Sequence, residues 1–517
     1  MDTRIRSIRH VLLAIVAALV LADPSAAHAQ PPPEERAVPE PEAPAPALEA
    51  PATTVEPTGE PVIEPPIEAQ HEVPDTGASG AVTSPPESEE FVAPPELVAP
   101  VASEPVQAPA PPVPATGDVR VHFEPGQGLQ ITSNDGRFEL IVRARAQFVA
   151  TLRHPDGQDA GIDFELRRAR IYFQGALFDP NIRFTLQLGV SPSCSDMGNN
   201  FAGNSCVGPQ ATAPTTLTGF SPRWSPLLDW YVELRHLREL NVRVGQMIPT
   251  FSRTFTISDA NYQFIDRSLE DGEFNLDRTF AIELRSTDFA GLGWLRYYAG
   301  IMSTQGRDMP FAPDLHLGYY ARIDVNPMGF FNDYAGGDLA RNVDPKLSIG
   351  AGYAFLDHAP FDHGTVGILP LDGGTTDQHV VTADFVFMWH GFSLLGEWTM
   401  RQTTRHQGAA NDPMTMMPYA SPTLGRTGFG MQAITGVMLG DLPLEISARA
   451  GVLRHMNALD GGAHSAILDQ NEVGGGINWY IQGHPLKLSL WFTDVWRDDG
   501  TGSSGTQVVR LQFQATL

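Results

Sequence analysis

The sequence predicts an all-β fold, a 16-stranded antiparallel transmembrane β-barrel preceded by a disordered Pro-rich segment. Three observations carry this reading. From Gly117 onward, apolar and polar residues alternate with period two. The connections between these runs are alternately short and long. After residue 30 no long unbroken apolar run occurs, which argues against a membrane helix. Membrane strands are still allowed, because alternation leaves no hydropathy peak.

Residues 1–29 read as a signal peptide. Arg4, Arg6 and Arg9 precede the apolar run Val11 to Leu21, and Ala27-His28-Ala29 is a small-x-small site ahead of Gln30. That run is too short to span a bilayer, which takes roughly 20 apolar residues. No Cys follows the cleavage site, so nothing supports a lipid anchor.

Residues 30–117 are expected to form a disordered Pro/Glu/Ala-rich periplasmic linker. Residues 31–116 hold 23 of the 44 prolines, 16 acids against the single base Arg36, and one aromatic, Phe91. Such a segment buries too little apolar surface to offset its ordering entropy. It should be partly polyproline II, at most ~3.1 Å per residue. It is either a passive spacer or an arm that contacts the cell wall or a partner, and composition leaves both open. No heptad pattern supports a trimerising coiled coil.

Residues 118–517 are the barrel candidate. They hold 42 acids and 30 bases, so most of the net charge of −26 comes from the arm. A mildly acidic domain gives nucleic-acid binding no electrostatic support. Lys346 and Lys487 are the only lysines, so the positive charge is nearly all arginine.

In the first run, Phe138, Leu140, Val142, Ala144, Ala146 and Phe148 share one face, and Arg143, Arg145 and Gln147 the other. The second sets Ala169, Ile171 and Phe173 against Arg168, Arg170, Tyr172 and Gln174. After a turn at Asp179-Pro180-Asn181, the third sets Ile182, Phe184, Leu186 and Leu188 against Arg183, Thr185 and Gln187. Further strands are read near 227–238, 241–248, 278–287, 293–302, 314–325, 346–356, 378–389, 391–402, 426–439, 442–453, 471–482, 485–497 and 506–517, sixteen in all. Ten to thirteen residues suit tilted membrane strands of about 9–11 residues; sandwich strands are typically ~5–6. Other short turns are His390-Gly391, Gly440-Asp441 and Gly483-His484-Pro485; the long loops are 191–226, 249–277, 357–377, 403–425 and 454–470. One intended short turn, 326–345, is longer than the pattern asks.

Trp230, Trp294, Tyr319, Trp389 and Trp398 lie near strand ends, as in an interfacial aromatic belt. Cys194 and Cys206, close together in a Ser/Gly/Asn-rich stretch, are expected to form a loop-pinning disulfide in an oxidising compartment. In the last run Val509, Leu511, Phe513, Ala515 and Leu517 make an apolar face, the kind of strand that barrel-assembly machinery reads, although Phe or Trp is the usual last residue. No Gly-x-Ser-x-Gly elbow or zinc motif is present, so no enzyme, cofactor or metal is expected. The histidines, His316 and His379 among them, show no metal spacing and read as isolated.

From about residue 120 the chain resembles the phosphate-selective porin O and P family. The stretches are Phe164-Glu-Leu-Arg-Arg-Ala-Arg-Ile-Tyr-Phe-Gln-Gly175; Val244-Gly-Gln-Met-Ile-Pro-Thr-Phe-Ser-Arg253 with Phe264-Ile-Asp-Arg-Ser-Leu269 and Phe274-Asn-Leu-Asp-Arg278; and Glu472-Val-Gly-Gly-Gly-Ile-Asn-Trp-Tyr480 with Lys487-Leu-Ser-Leu490. The second, in order and spacing, is the most specific. The resemblance implies a sixteen-stranded homotrimeric porin whose third surface loop folds into the pore. Loop 249–277, after the fifth strand, matches that position.

If the apolar faces meet outer-membrane lipid, the polar faces line the lumen. Arg143, Arg145, Arg168, Arg170, Arg183, Arg235 and Arg243 then form a basic wall, with Arg253, Arg267 and Arg278 on or beside the constricting loop. Guanidinium groups hold oxyanions bidentately, and arginine rings select anions. The competing reading pairs these arginines with the lumen acids Glu139, Asp229, Glu233, Glu283, Asp324, Asp384, Glu397, Glu445 and Glu472. The resembled phosphate channels are rich in lysine, and the scarcity of lysine here argues against strict phosphate selectivity. The expected function is therefore a water-filled pore for small solutes, anions such as phosphate included, in the outer membrane of a Gram-negative bacterium. The alternative is a structural envelope protein whose barrel anchors the Pro-rich arm.

Overall fold

The computed structural model describes residues 119–191, 226–307, 316–365, 370, 372–409, 411, 416–417, 425–457, 467–498 and 503–517. Cys194 and Cys206, and the segments read as signal peptide and linker, lie outside the described residues.

The alternating runs form antiparallel strands. After a hairpin of β1 (Val119–Glu124) and β2 (Gly128–Ser133) come β3 (Glu139–Pro155), β4 (Gly161–Leu177), β5 (Asp179–Gly189), β6 (Leu227–Leu237), β7 (Leu240–Met247) and β8 (Thr279–Ser286). They continue as β9 (Leu295–Ser303), β10 (Leu317–Val325), β11 (Lys346–Ala359), β12 (Thr375–Trp389) and β13 (Phe392–His406). The last are β14 (Gly428–Met438), β15 (Leu444–His455), β16 (Gln470–Gln482), β17 (Leu486–Asp498) and β18 (Ser503–Thr516). From β3 each strand pairs with the next, and β18 returns to β3 from Thr506↔Pro155 to Thr516↔Arg145, closing a 16-stranded barrel. Among the described residues no helix is long and apolar enough to cross a membrane.

The side chains are distributed inside out. Ile323, Ile349, Met431, Ile446 and Phe513 are between 42% and 53% exposed on the outer wall. Gln147, Asp324, Glu283, Glu445, Asn478 and Gln514 are fully buried on the inner one. A water-soluble barrel would reverse this; an outer face of bare apolar side chains requires an apolar solvent. Trp230, Trp294, Tyr319 and Trp389 are between 38% and 48% exposed, and Trp398 is half-buried.

Each of the sixteen expected runs is a barrel strand, but three details differ. The β1–β2 hairpin was not expected, although Val119, Val121 and Phe123 alternate with Arg120 and His122. It extends the wall where β18 stops: β2 takes the first residues of β3 (Leu129↔Val142 to Thr132↔Glu139), and the Leu517 N–H donates to the Ala144 carbonyl. The first short turn falls at Phe178 (φ 67°), so Asp179-Pro180-Asn181 belongs to β5. The third difference is 326–345, which folds into the lumen. His390 and Gly391 do form a two-residue turn with φ of 49° and 82°, the left-handed pair that matches strand twist.

Placing a charge on the outer wall should be costly. Ile282→Arg, midway along β8, is expected to destabilise the folded barrel by about 2–4 kcal/mol, read as a lowered urea midpoint in lipid vesicles.

Candidate functional site

Charges buried on a polar inner wall need partners. Loop 249–277 supplies them. It carries two short helices, α1 (Arg253–Thr256) and α2 (Leu269–Phe274), capped by Ser252 and Ser268, whose hydroxyls accept from Phe255 N and Asp271 N. Glu397 on β13 also accepts from the α1 backbone at Arg253 N (3.1 Å) and Thr254 N (2.9 Å), placing a carboxylate at a helix start.

The loop crosses the lumen and is held from many sides. Lys487 Nζ donates to the Tyr262 carbonyl (2.7 Å), and Gln514 Nε2 to that of Ala260 (3.1 Å). Gln263 Nε2 donates to Glu445 (2.6 Å), and Gln432 Nε2 to Glu270 (2.7 Å). The Leu269 N–H donates to Glu472 (3.0 Å), and Glu273 pairs with Arg401 and Arg426. Small wall residues let it approach: a Cβ on Gly430 would lie 2.7 Å from Glu270 Cγ.

Segment 326–345 meets this loop inside the barrel. The Gly336 N–H donates to the Asn261 carbonyl (2.7 Å), and Tyr334 Oη to Asp324 (2.6 Å). Asp333 accepts from Arg253 Nη1 (2.8 Å) and Arg296 Nη1 (2.9 Å). Arg253 also pairs with Asp324 (3.2 Å) and Asp384, and Arg322 pairs with Asp324 (2.8 Å) and Asp384 (2.7 Å). Three guanidiniums and three carboxylates thus form one buried, charge-balanced network joining loop, inserted turn and wall.

The wall arginines are where the alternation puts them, and most are paired. Arg168 Nε and Arg170 Nη1 lie 3.2 and 3.1 Å from Asp259, which also takes Arg267 (2.9 Å). Arg235 and Arg243 share Glu233 (3.0 and 2.8 Å). Arg183 pairs with Glu139 (2.8 Å), and Arg278 with Asp229 (3.0 Å). Arg145 donates to the Ser258 hydroxyl (3.2 Å) and lies over the Tyr172 ring. Arg143 donates to the Gln174 amide oxygen and also lies over Tyr172, and it pairs with no carboxylate among the described residues.

The two sides of the lumen differ. Arg143, Tyr172, Gln174, Thr185, Tyr231 and Arg243, from β3 to β7, are half-buried. Arg322, Asp324, Ser348, Arg401, Glu445 and Lys487, from β10 to β17, are closed over by the inserted segments. What open inner surface remains on these strands lies toward β3–β7.

The loop's own acids are strongly perturbed. Burial alone would raise Asp259, but Arg168, Arg267, Arg170 and Arg145 hold it far below the usual carboxylate range. Glu273 overcomes the same burial penalty through Arg401 and Arg426 and sits at about 2. Glu270 goes the other way: burial, with the Glu397 and Asp271 carboxylates beside it, pushes it well above the normal range.

Two features escaped the sequence reading. A register shift between Gln147 and Phe148, opposite Arg167, places Arg167 as well as Arg168 and Arg170 inside, where Arg167 pairs with Asp266. The run Arg167-Arg168-Ala169-Arg170 breaks strict alternation and was the available signal. The histidines are also not isolated: His316 stacks on His358, and His379 on Phe355.

No family model matches the chain, and no curated protein matches it. Among solved structures, a loop-deletion form of OmpT, an outer membrane protein of Vibrio cholerae, is similar at 11% identity and a TM-score of 0.44 over 72% of this chain and 99% of that one. The outer membrane channel DcaP of Acinetobacter baumannii is similar at 12% and 0.43, over 75% and 99% of the two chains. OpdQ of Pseudomonas aeruginosa is similar at 10% and 0.39, over 73% and 97%. Likeness at this level assigns neither a family nor a solute.

Arg253→Met leaves three buried carboxylates short of a partner and should cost about 3–5 kcal/mol, measured by urea unfolding. Glu273 and Asp333, each at about 2, ionise more readily folded than unfolded. Their stabilisation is complete above the unfolded carboxylate range near ~4 and is lost as pH falls toward ~2. Thermal midpoints should therefore hold level down to about pH 5 and drop steeply below ~4.

Proposed function

We propose that this chain is an outer-membrane porin through which small solutes diffuse, with anions favoured. The observation that carries the reading is the arginine wall of β3–β7 beside loop 249–277, on which Arg143, Arg183 and Arg243 are half-buried. Where this wall meets the loop, Asp259 is shared by three guanidiniums; on the wall Glu233 is shared by two, and among the described residues Arg143 has only neutral partners. The wall thus keeps net positive charge, and a narrow low-dielectric passage focuses its field. Arginine at close quarters draws oxyanions and passes them on when no single site is too strong. Phosphate is the more specific version of the same reading.

The apolar outer wall supports location in the outer membrane of a Gram-negative bacterium, after export directed by residues 1–29. The face Val509, Leu511, Phe513, Ala515 and Leu517 is offered to the assembly machinery, and a homotrimer is the expected assembly. The Pro-rich residues 30–117 are a periplasmic linker in this scheme, and Cys194 with Cys206 pins a surface loop.

Single-channel recording in planar bilayers tests the reading. Chloride should pass in preference to potassium, and Arg143→Gln with Arg145→Gln should reduce that preference. A cation-preferring channel removes the anion path, and conductance unaltered by added phosphate removes the specific version. Loss of envelope integrity on deleting residues 31–116, with conductance intact, would favour a barrel whose main task is to anchor the arm.

A further inference from the structure

We propose that His358, Asp377 and His406, within a rim cluster that also holds His316 and Asp357, form a site for one divalent transition-metal ion of the zinc type at the long-loop rim. The inference is independent of the transport reading. His316 precedes β10, Asp357 and His358 lie at the end of β11, Asp377 opens β12 and His406 closes β13, so four consecutive strand ends contribute.

The donors converge. His316 Nδ1 and His358 Nδ1 lie 2.8 and 2.7 Å from the two oxygens of Asp357. His358 Nδ1 is 3.3 Å from Asp377, whose other oxygen is 2.8 Å from His406 Nε2. The sets His316, Asp357, His358 and His358, Asp377, His406 each hold their ligand atoms within 4.8 Å of one another. A tetrahedral ion with bonds of about 2.0–2.2 Å separates its ligand atoms by roughly 3.4 Å. The His358–Asp377 distance already meets that, and the hydrogen-bonded Asp377–His406 pair at 2.8 Å needs to open by about 0.6 Å.

Local structure directs the rings together. The β11–β12 register shifts between Leu356 and Ala359, and His358 takes φ 45°, a left-handed conformation that a non-glycine residue rarely adopts. The bulge sets the His358 ring between His316 (centroids 4.4 Å) and His406 (4.1 Å). The broad torsion of an imidazole about Cβ–Cγ then lets the nitrogen edges of His358 and His406 turn toward one ion. The His358 N–H donates to Asp377 Oδ1 (2.8 Å), orienting that carboxylate as an outer partner does in metal sites. Imidazole with carboxylate suits zinc, nickel or copper, whereas calcium and magnesium prefer all-oxygen sets. The donors remain partly open, with side-chain exposures between 22% and 39%, so an ion can enter.

The test is isothermal titration calorimetry of ZnCl2 into the full-length protein in detergent, after removal of adventitious metal with a chelator. One saturable zinc site is expected, with no comparable calcium binding. His358→Gln should weaken zinc binding by about 100-fold and His406→Gln by roughly tenfold or more. Zinc should raise the thermal midpoint of the wild type but not of His358→Gln, with far-UV circular dichroism confirming that both keep their strand content. Absence of saturable zinc binding overturns the proposal. So does zinc binding that survives in the triple variant H316Q/H358Q/H406Q, or calcium binding as tight as zinc.

Discussion

Hydrocarbon offers no partner for a backbone N–H or C=O, so a strand that meets lipid must be paired on both edges. The bonding of β18 to β3 meets that requirement, and the rest of the architecture follows from it. Once the wall is closed, side-chain alternation sorts one residue in two outward and its neighbour inward. Ile349 and Phe513 face out, and Ser348 and Gln512 face in. The β1–β2 hairpin belongs to the same logic, because it covers the stretch of β3 that β18 does not reach.

A polar lumen creates its own difficulty, since buried charges left without partners are expensive. Loop 249–277 and segment 326–345 resolve it together. Their carboxylates and backbone carbonyls meet wall arginines and Lys487, while wall carboxylates meet Arg253 and the starts of both helices. The loop is therefore the core of the molecule, a polar one inside an apolar-skinned cylinder. Apolar residues take part: Phe264 packs on Trp491 with ring centroids 3.7 Å apart, and Phe251 is fully buried against the wall.

The filling is asymmetric, which matters for any solute. The β10–β17 side is closed by the Arg253 network and the Glu445–Gln263 contacts. The β3–β7 side keeps half-buried arginines, tyrosines and amides. Guanidiniums that share one carboxylate, or lie over Tyr172 and Tyr231, are held in place without being neutralised.

By itself the sequence determined what depends on local periodicity. A period of two announces a strand with two unlike faces, so all sixteen barrel strands and the inward direction of Arg143, Arg145, Arg168, Arg170 and Arg243 were legible. The excess length of 326–345 was legible too, although its destination was not. Only the tertiary structure decided which charges meet, because the partners are remote in the chain. Arg253 reaches Asp384 across 131 residues, and Lys487 reaches Tyr262 across 225. Bulges lie beyond periodicity for a related reason: one inserted residue reverses the faces, as at Arg167, or turns a ring, as at His358. The histidine cluster was invisible because four neighbouring strand ends become adjacent only when the sheet is registered, and spacing along a chain carries no record of that.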